Sequence, residues 1–297
     1  MSPATTAAQK RGNVTQEKTP RPVVVAVDGS AASTAAVAWA AADAALRHLP
    51  VMLAHVVSRW RGGGRDAQTI LSDAEAVVRA AVGDEVSVET RRLRGRPVAA
   101  LTKLTLEADR LVIGFRGNGV LGAGLLGPVT EGVLHHARCP VAVIHAGHRD
   151  DPNVDRLPVL VGVDGSASSA VALVLAFEEA RLRATSLVAI HVVDDNALGP
   201  AGSTNILQAA LEPCLRDHPG VEAHSSLVSG DPSTELINRA GSAQLVVVGN
   251  RGRGGLARTM LGSVSSAVVA CVEAPVLVAR DVVPASQCSS TPSRSTP

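Results

Sequence analysis

Two groups of residues in this 297-residue chain have the types and spacing to hold a phosphate: Gly249, Gly252, Gly262 and Ser263, and earlier Gly114, Gly117, Gly127 and Pro128. In each group two glycines stand three apart directly after an apolar run, and the third opens a helical pattern. Glycine lets the backbone turn through positive φ and approach a ligand closely. A helix beginning there offers N–H groups without intrahelical partners and the positive end of its dipole, which together suit an anion.

The groups belong to a longer repeat. Asp28 and Asp164, each in Val-Asp-Gly-Ser, lie 136 residues apart, as do His55 and His191 in His-Val-Val, whereas Gly114 and Gly249, Gly127 and Gly262, and Pro140 and Pro275 lie 135 apart. Solenoid repeats are far shorter, so the spacing predicts two domains of one fold. We expect a tail over 1–20, one domain over 21–147, a linker over 148–158, a second domain over 159–281 and a Ser/Pro/Thr-rich tail over 282–297.

Short Val-rich runs over 23–27, 51–57, 111–113 and 141–144, with a more alternating one over 86–93, predict five strands in the first half. Runs over 159–163, 187–193, 221–228, 245–248 and 276–279 predict five more. Helical stretches over 33–48, 66–82, 97–108 and 128–137 fall between the first five, and the second half follows the same order. Such alternation implies right-handed crossovers and parallel sheets. The expected fold class is α/β: two tandem doubly wound domains, each a five-stranded parallel sheet flanked by about four helices, with a ligand beyond the carboxyl ends of the strands.

Composition narrows the function. A net charge of +1 gives no global attraction to nucleic acid or membrane, and two Phe, two Trp and no Tyr leave few platforms for base stacking. Four scattered cysteines with no Cys-x-x-Cys favour a reducing cytosol, and the first twenty residues lack a signal-peptide core. A cytoplasmic protein with no nucleic-acid or membrane partner is expected.

Val-Asp-Gly-Ser, His-Val-Val, Gly-Arg-Pro or Gly-Asp-Pro, and Gly-x-x-Gly-x9-Gly-Ser in this order resemble the universal stress protein family in its tandem form. The resemblance covers about residues 21–281. It implies ATP binding, a regulatory role in stress response, and pairing of the last strands edge to edge. In the second half it implies Asp164 and Gly165 beside the nucleoside, the Val192 backbone at the adenine edge, and Gly249, Gly252, Arg253, Gly262, Ser263, Val264 and Ser265 around ribose and phosphates. The matching first-half set is Asp28, Gly29, Val56, Gly114, Gly117, Gly127, Val129 and Thr130. Arg251 stands in the same second-half loop, and arginine's fork suits phosphate oxygens.

The halves differ where affinity is decided. Pro128 replaces Ser263 and brings neither hydroxyl nor backbone donor, Glu131 replaces Ser266, and Asn118 replaces Arg253. The second half should bind ATP more tightly, unless Arg59, Arg61 and Arg65 fold over the first site. Magnesium joining Asp164 to the phosphates is compatible with that cation's few protein ligands. No Walker lysine, kinase signature or Gly-x-Ser-x-Gly elbow occurs. The expectation is therefore an ATP-binding regulator with no metal ligand set and no catalytic residue, acting as a homodimer with a regulatory protein partner still to be identified. A nucleotide-independent dimeric scaffold and a slow ATPase are the alternatives. Asp28 and Asp164 are also candidates to cap the following helices, and His55 and His191 read as hydrogen-bonded core histidines, with His135 and His136 structural at a helix end.

Overall fold

The computed structural model describes residues 20–57, 65–116, 126–147, 153–193, 200–252 and 261–280, without side chains for 200–204. Gly117 and Arg253 of the candidate site, with Arg59, Arg61 and Asn118, lie outside these residues. The first half runs β1 (Val23–Ala26), α1 (Ala31–Arg47), β2 (Val51–Val57), α2 (Ala67–Val82), β3 (Val88–Arg94), α3 (Pro97–Leu104), β4 (Arg110–Gly114), α4 (Pro128–His136) and β5 (Val141–Ile144). The second runs β6 (Val159–Gly162), α5 (Ala167–Leu182), β7 (Leu187–Val193), α6 (Pro200–Asp217), β8 (Ala223–Ser229), α7 (Pro232–Ala240), β9 (Leu245–Val248), α8 (Ser263–Cys271) and β10 (Val276–Val278).

All ten strands form one sheet in the order β3-β2-β1-β4-β5-β10-β9-β6-β7-β8. Pairing within each half is parallel. At the centre β5 meets β10 antiparallel, with Val143 opposite Val276 and Val141 opposite Val278. The last strands thus satisfy each other inside the chain. Because the halves run in opposite directions, the carboxyl ends of their strands lie at opposite ends of the sheet.

The central strands are nearly pure Val, Leu and Ile because helices cover both faces. One core contains side chains of α1, α2, α5 and α6, including Val37, Leu71, Phe177 and Leu211, and the other those of α3, α4, α7 and α8, including Leu104, Leu134, Leu236 and Val269. Each core is continuous across the junction. The outer strands β3 and β8 bury far less and carry polar residues accordingly.

A buried ionic cluster ties the halves together. Arg47 of α1 pairs with Glu179 of α5, and Arg183, which follows α5, pairs with Asp43 of α1 at 2.8 Å. Arg110 at the start of β4 stands 3.2 Å from Asp43 and 2.8 Å from Glu179. Asp43 and Glu179, like Arg47 and Arg183, are repeat equivalents 136 residues apart, so each arginine reaches the acid of the other half. Leu245, the equivalent of Arg110, breaks the symmetry. Arg183 also lies 5.7 Å from the ring centre of Trp39.

Burial alone would push the Glu179 carboxyl up from its ordinary 4.5, but Arg110, Arg183 and Arg47 outweigh it and hold it down to about 2. A depressed carboxylate pKa contributes stability above the unfolded value, and that contribution is lost as pH falls from 4.5 towards 2. Removing one partner of a buried pair strands the other charges, at a cost of roughly 3–5 kcal/mol. Glu179→Gln should therefore melt well below wild type at pH 7, and thermal denaturation followed into acid should show the gap narrowing.

Candidate functional site

The second-half crevice is built from the β6–α5 turn outward. Gly165 takes φ +80°, which places the Asp164 carboxylate to accept the Ser166 N–H at 2.9 Å. Ser166, not Asp164, caps α5 by accepting from the Ser169 N–H at 3.1 Å. The same holds in the first half: Gly29 has φ +76°, Asp28 receives the Ser30 N–H at 3.0 Å, and Ser30 caps α1. The aspartates hold the turn, and the shorter serine side chain is left to reach the helix. His191 Nδ1 contacts the Val163 carbonyl at 2.6 Å and His55 Nδ1 the Val27 carbonyl at 2.7 Å, so each histidine fixes the residue just before its aspartate. The structural reading of this pair extends to positioning the turn.

Beyond β9, Gly249 lies against α5: a Cβ there would stand 2.7 Å from Ser168 Oγ and 3.0 Å from the Ser168 carbonyl carbon. A Cβ on Gly252 would stand 2.8 Å from Asp164 Oδ2. Gly252 is therefore the point at which the loop backbone passes against the aspartate. Gly262 returns beside it, its Cβ position 3.5 Å from the Gly252 nitrogen, and its N–H donates to the Asn250 carbonyl at 2.8 Å. That bond removes the Gly262 amide from any ligand. The first turn of α8 has no side-chain cap and no acidic residue, and its N–H groups have no partner within the helix. Ser265 Oγ donates inward to the Gly249 carbonyl at 2.6 Å, making Ser265 a brace for the cradle, and Val264 packs against the core. Val192 lies near the carboxyl end of β7, opposite Val228.

The first half repeats this frame. Thr130 Oγ1 donates to the Gly114 carbonyl at 2.9 Å, Gly127 N–H donates to the Phe115 carbonyl at 3.3 Å, and Val129 packs against the core as Val264 does. Val56 lies in β2 opposite Leu93. A Cβ on Gly114 would stand 2.8 Å from the Ala32 carbonyl carbon. α4 starts on Pro128 and carries Glu131 in its first turn. It therefore offers one amide fewer than α8, with a negative charge nearby that opposes an anion. Arg65 lies against the Gly29 turn, its Nη1 3.5 Å from the Cβ position of that glycine. It also pairs with Asp73.

Sequence spacing missed the support beneath the glycines. Ser168 Oγ meets the Asn250 side-chain oxygen at 2.5 Å and receives the Arg251 N–H at 3.3 Å. Their equivalents, Ala32 and Phe115, cannot form this network, and aligning the two repeats residue by residue exposes the difference.

The chain matches the universal stress protein family over residues 20–145 and again over 156–280. It belongs to that family. It is 37% identical to a universal stress protein of Mycobacterium tuberculosis H37Rv over 284 residues, 87% of this chain and 96% of the relative. A solved universal stress protein from Archaeoglobus fulgidus superposes with a TM-score of 0.68 at 22% identity, over 88% of this chain and 98% of that one, which shows the shared fold. A solved single-domain member in complex with cAMP is 30% identical over 43% of this chain and 98% of its own, with a TM-score of 0.36. Among the described residues of this universal stress protein no helix is long and apolar enough to cross a membrane.

The glycines nearest the strands have a structural duty separable from ligand binding. Gly114→Ala drives a methyl into the Ala32 backbone, which cannot yield as a side-chain end can; overpacking of this kind costs about 1–3 kcal/mol. Gly220→Ala, with nothing within 4 Å of the added carbon, should be close to neutral in the same chemical denaturation series.

Proposed function

We propose that this universal stress protein is an ATP-binding regulator whose second-half crevice holds the nucleotide more tightly than its first. One observation carries the reading: at Gly252 the loop backbone runs close against the Asp164 carboxylate, where a side chain would have to displace it, beside the amino end of α8, which has no side-chain cap. The nucleoside would lie by Asp164, Gly165 and the Val192 backbone, with the phosphates against the amides of Ser263, Val264 and Ser265. Arg251, in the loop after β9, would supply a cation for the phosphates. Magnesium would share phosphate and water with Asp164. ATP brings a polyanion, and the chain's part is to orient it by a helix terminus and a fixed turn.

The role is binding, not rapid turnover. Hydrolysis needs a held water and a group that stabilises developing charge, and the sequence assigns no residue to the water. Nucleotide occupancy would alter the surface presented to a protein partner in the stress response. Since β5 and β10 already pair within the chain, homodimerisation would use a different surface.

Calorimetric titration of the full chain with ATP tests this. Gly252→Val should abolish the tighter event. Ser263→Pro should weaken it by about tenfold or more, since a charge-assisted hydrogen bond contributes roughly 1.5–3 kcal/mol and 1.4 kcal/mol is a factor of ten. Pro128→Ser should strengthen the weaker event. Full-strength tight binding by Gly252→Val would refute the assignment.

A further inference from the structure

From the first-half site a connected series of side chains reaches α8 of the second half. Phe115 directly follows Gly114, and its carbonyl seats Gly127 at the head of α4. The Arg116 guanidinium lies 5.3 Å from the centre of the Phe115 ring. On Phe115 stacks His145, just beyond β5, with ring centres 4.1 Å apart and planes at 17°. His145 Nε2 lies 3.0 Å from the Val269 carbonyl, which belongs to α8 in the other half. An imidazole nitrogen facing a carbonyl must carry the proton, so Nε2–H donates.

The position of that carbonyl gives the contact its meaning. The last carbonyls of a helix have no intrahelical partner. In α8 the Val268 carbonyl takes the Val272 N–H at 3.0 Å, and the next one, Val269, takes His145. A residue of the first half therefore caps the carboxyl end of the helix whose amino end heads the second crevice. α8 has only nine residues, too short to absorb a displacement at one end without moving the other. The charged groups acting on His145 are Glu273, beyond α8, and Arg116, and burial holds the ring below its ordinary pKa, hence neutral.

We propose that Arg116, Phe115 and His145 couple the two crevices, so that an anionic ligand in the first weakens binding in the second and the reverse. This rests on the nucleotide-binding reading above. Arg116 is the repeat equivalent of Arg251, 135 residues earlier. A phosphate in the first crevice competes with the Phe115 ring for its guanidinium. Phe115 and His145 then shift as a stack, the cap on Val269 loosens, and α8 rotates away from the position that suits the second ligand. Linkage makes the effect reciprocal.

The test is ATP titration of the full chain by calorimetry. Closing the second crevice with Gly252→Val should strengthen binding at the first by at least about fivefold, the lower end of ordinary coupling, relative to the wild-type chain with its second crevice filled. His145→Ala in both backgrounds should erase that difference while leaving two binding events in the chain that keeps Gly252. Phe115→Leu, which preserves bulk but not the ring stack, should do the same and serves if the histidine variant folds poorly. Equal first-crevice affinities in the two backgrounds, or a difference that survives both substitutions, would overturn the coupling with nucleotide binding intact. A wild-type chain that takes up no ATP would overturn both readings, and the same titration shows which has failed.

Discussion

The antiparallel pairing of β5 with β10 is the constraint from which the rest of the molecule follows. Each half is a parallel sheet whose last strand would otherwise leave an apolar edge of unpaired backbone groups exposed, an invitation to association. Joining those edges makes one ten-stranded sheet with continuous cores on both faces. It also sends the carboxyl ends of the two sets of strands, and with them the two candidate sites, to opposite ends of the sheet. Asp43, Arg47, Arg110, Glu179 and Arg183 then reinforce the junction on one face. Desolvation offsets much of the attraction in a buried ion pair, so its net contribution to stability is small while breaking it is costly. Here Arg110 comes from the first half alone, so a junction between two second halves would lack it.

Much of this was legible in the sequence because buried parallel strands are continuous apolar runs and the repeat doubles every signal. All ten strands and the four first-half helices fall where the pattern puts them. The discrepancies are at ends, among them β3 and β8 starting two residues later than expected, and three of them have a visible local cause. α1 begins at Ala31, earlier than the expected Ser33, because Ser30 caps it. α3 stops at Leu104, short of the expected Ala108, where Thr105 bonds the Thr102 carbonyl and accepts the Arg138 N–H. β3 runs to Arg94, beyond the expected Leu93, as Gly95 N–H reaches the Val57 carbonyl and keeps the edge in register. The ionic cluster was not legible, since its partners are brought together only by the junction and each reads alone as an ordinary helical charge.

The candidate site was legible as a set of glycines and aspartates but not as a mechanism of support. Spacing identifies Gly252 and Asp164 separately, while only the fold shows that a side chain at the first would press on the carboxylate of the second. It also divides the glycines by duty. Gly114 and Gly249 make room for the backbone or serine of the neighbouring helix, and Gly252 and Gly262 bring the loop ends together. The two halves share the glycines that packing demands and differ beneath and at the head of the loop: Ala32 and Ser168, Phe115 and Asn250, Pro128 and Ser263.

Whether the amino end of α8 and the Asp164 turn together receive a nucleotide is decided by a crystal structure of the full chain grown with millimolar ATP. The triphosphate is expected against the Ser263, Val264 and Ser265 amides and the nucleoside by Asp164, as proposed. A crevice filled by its own side chains, or nucleotide bound elsewhere on the molecule, would contradict the proposal.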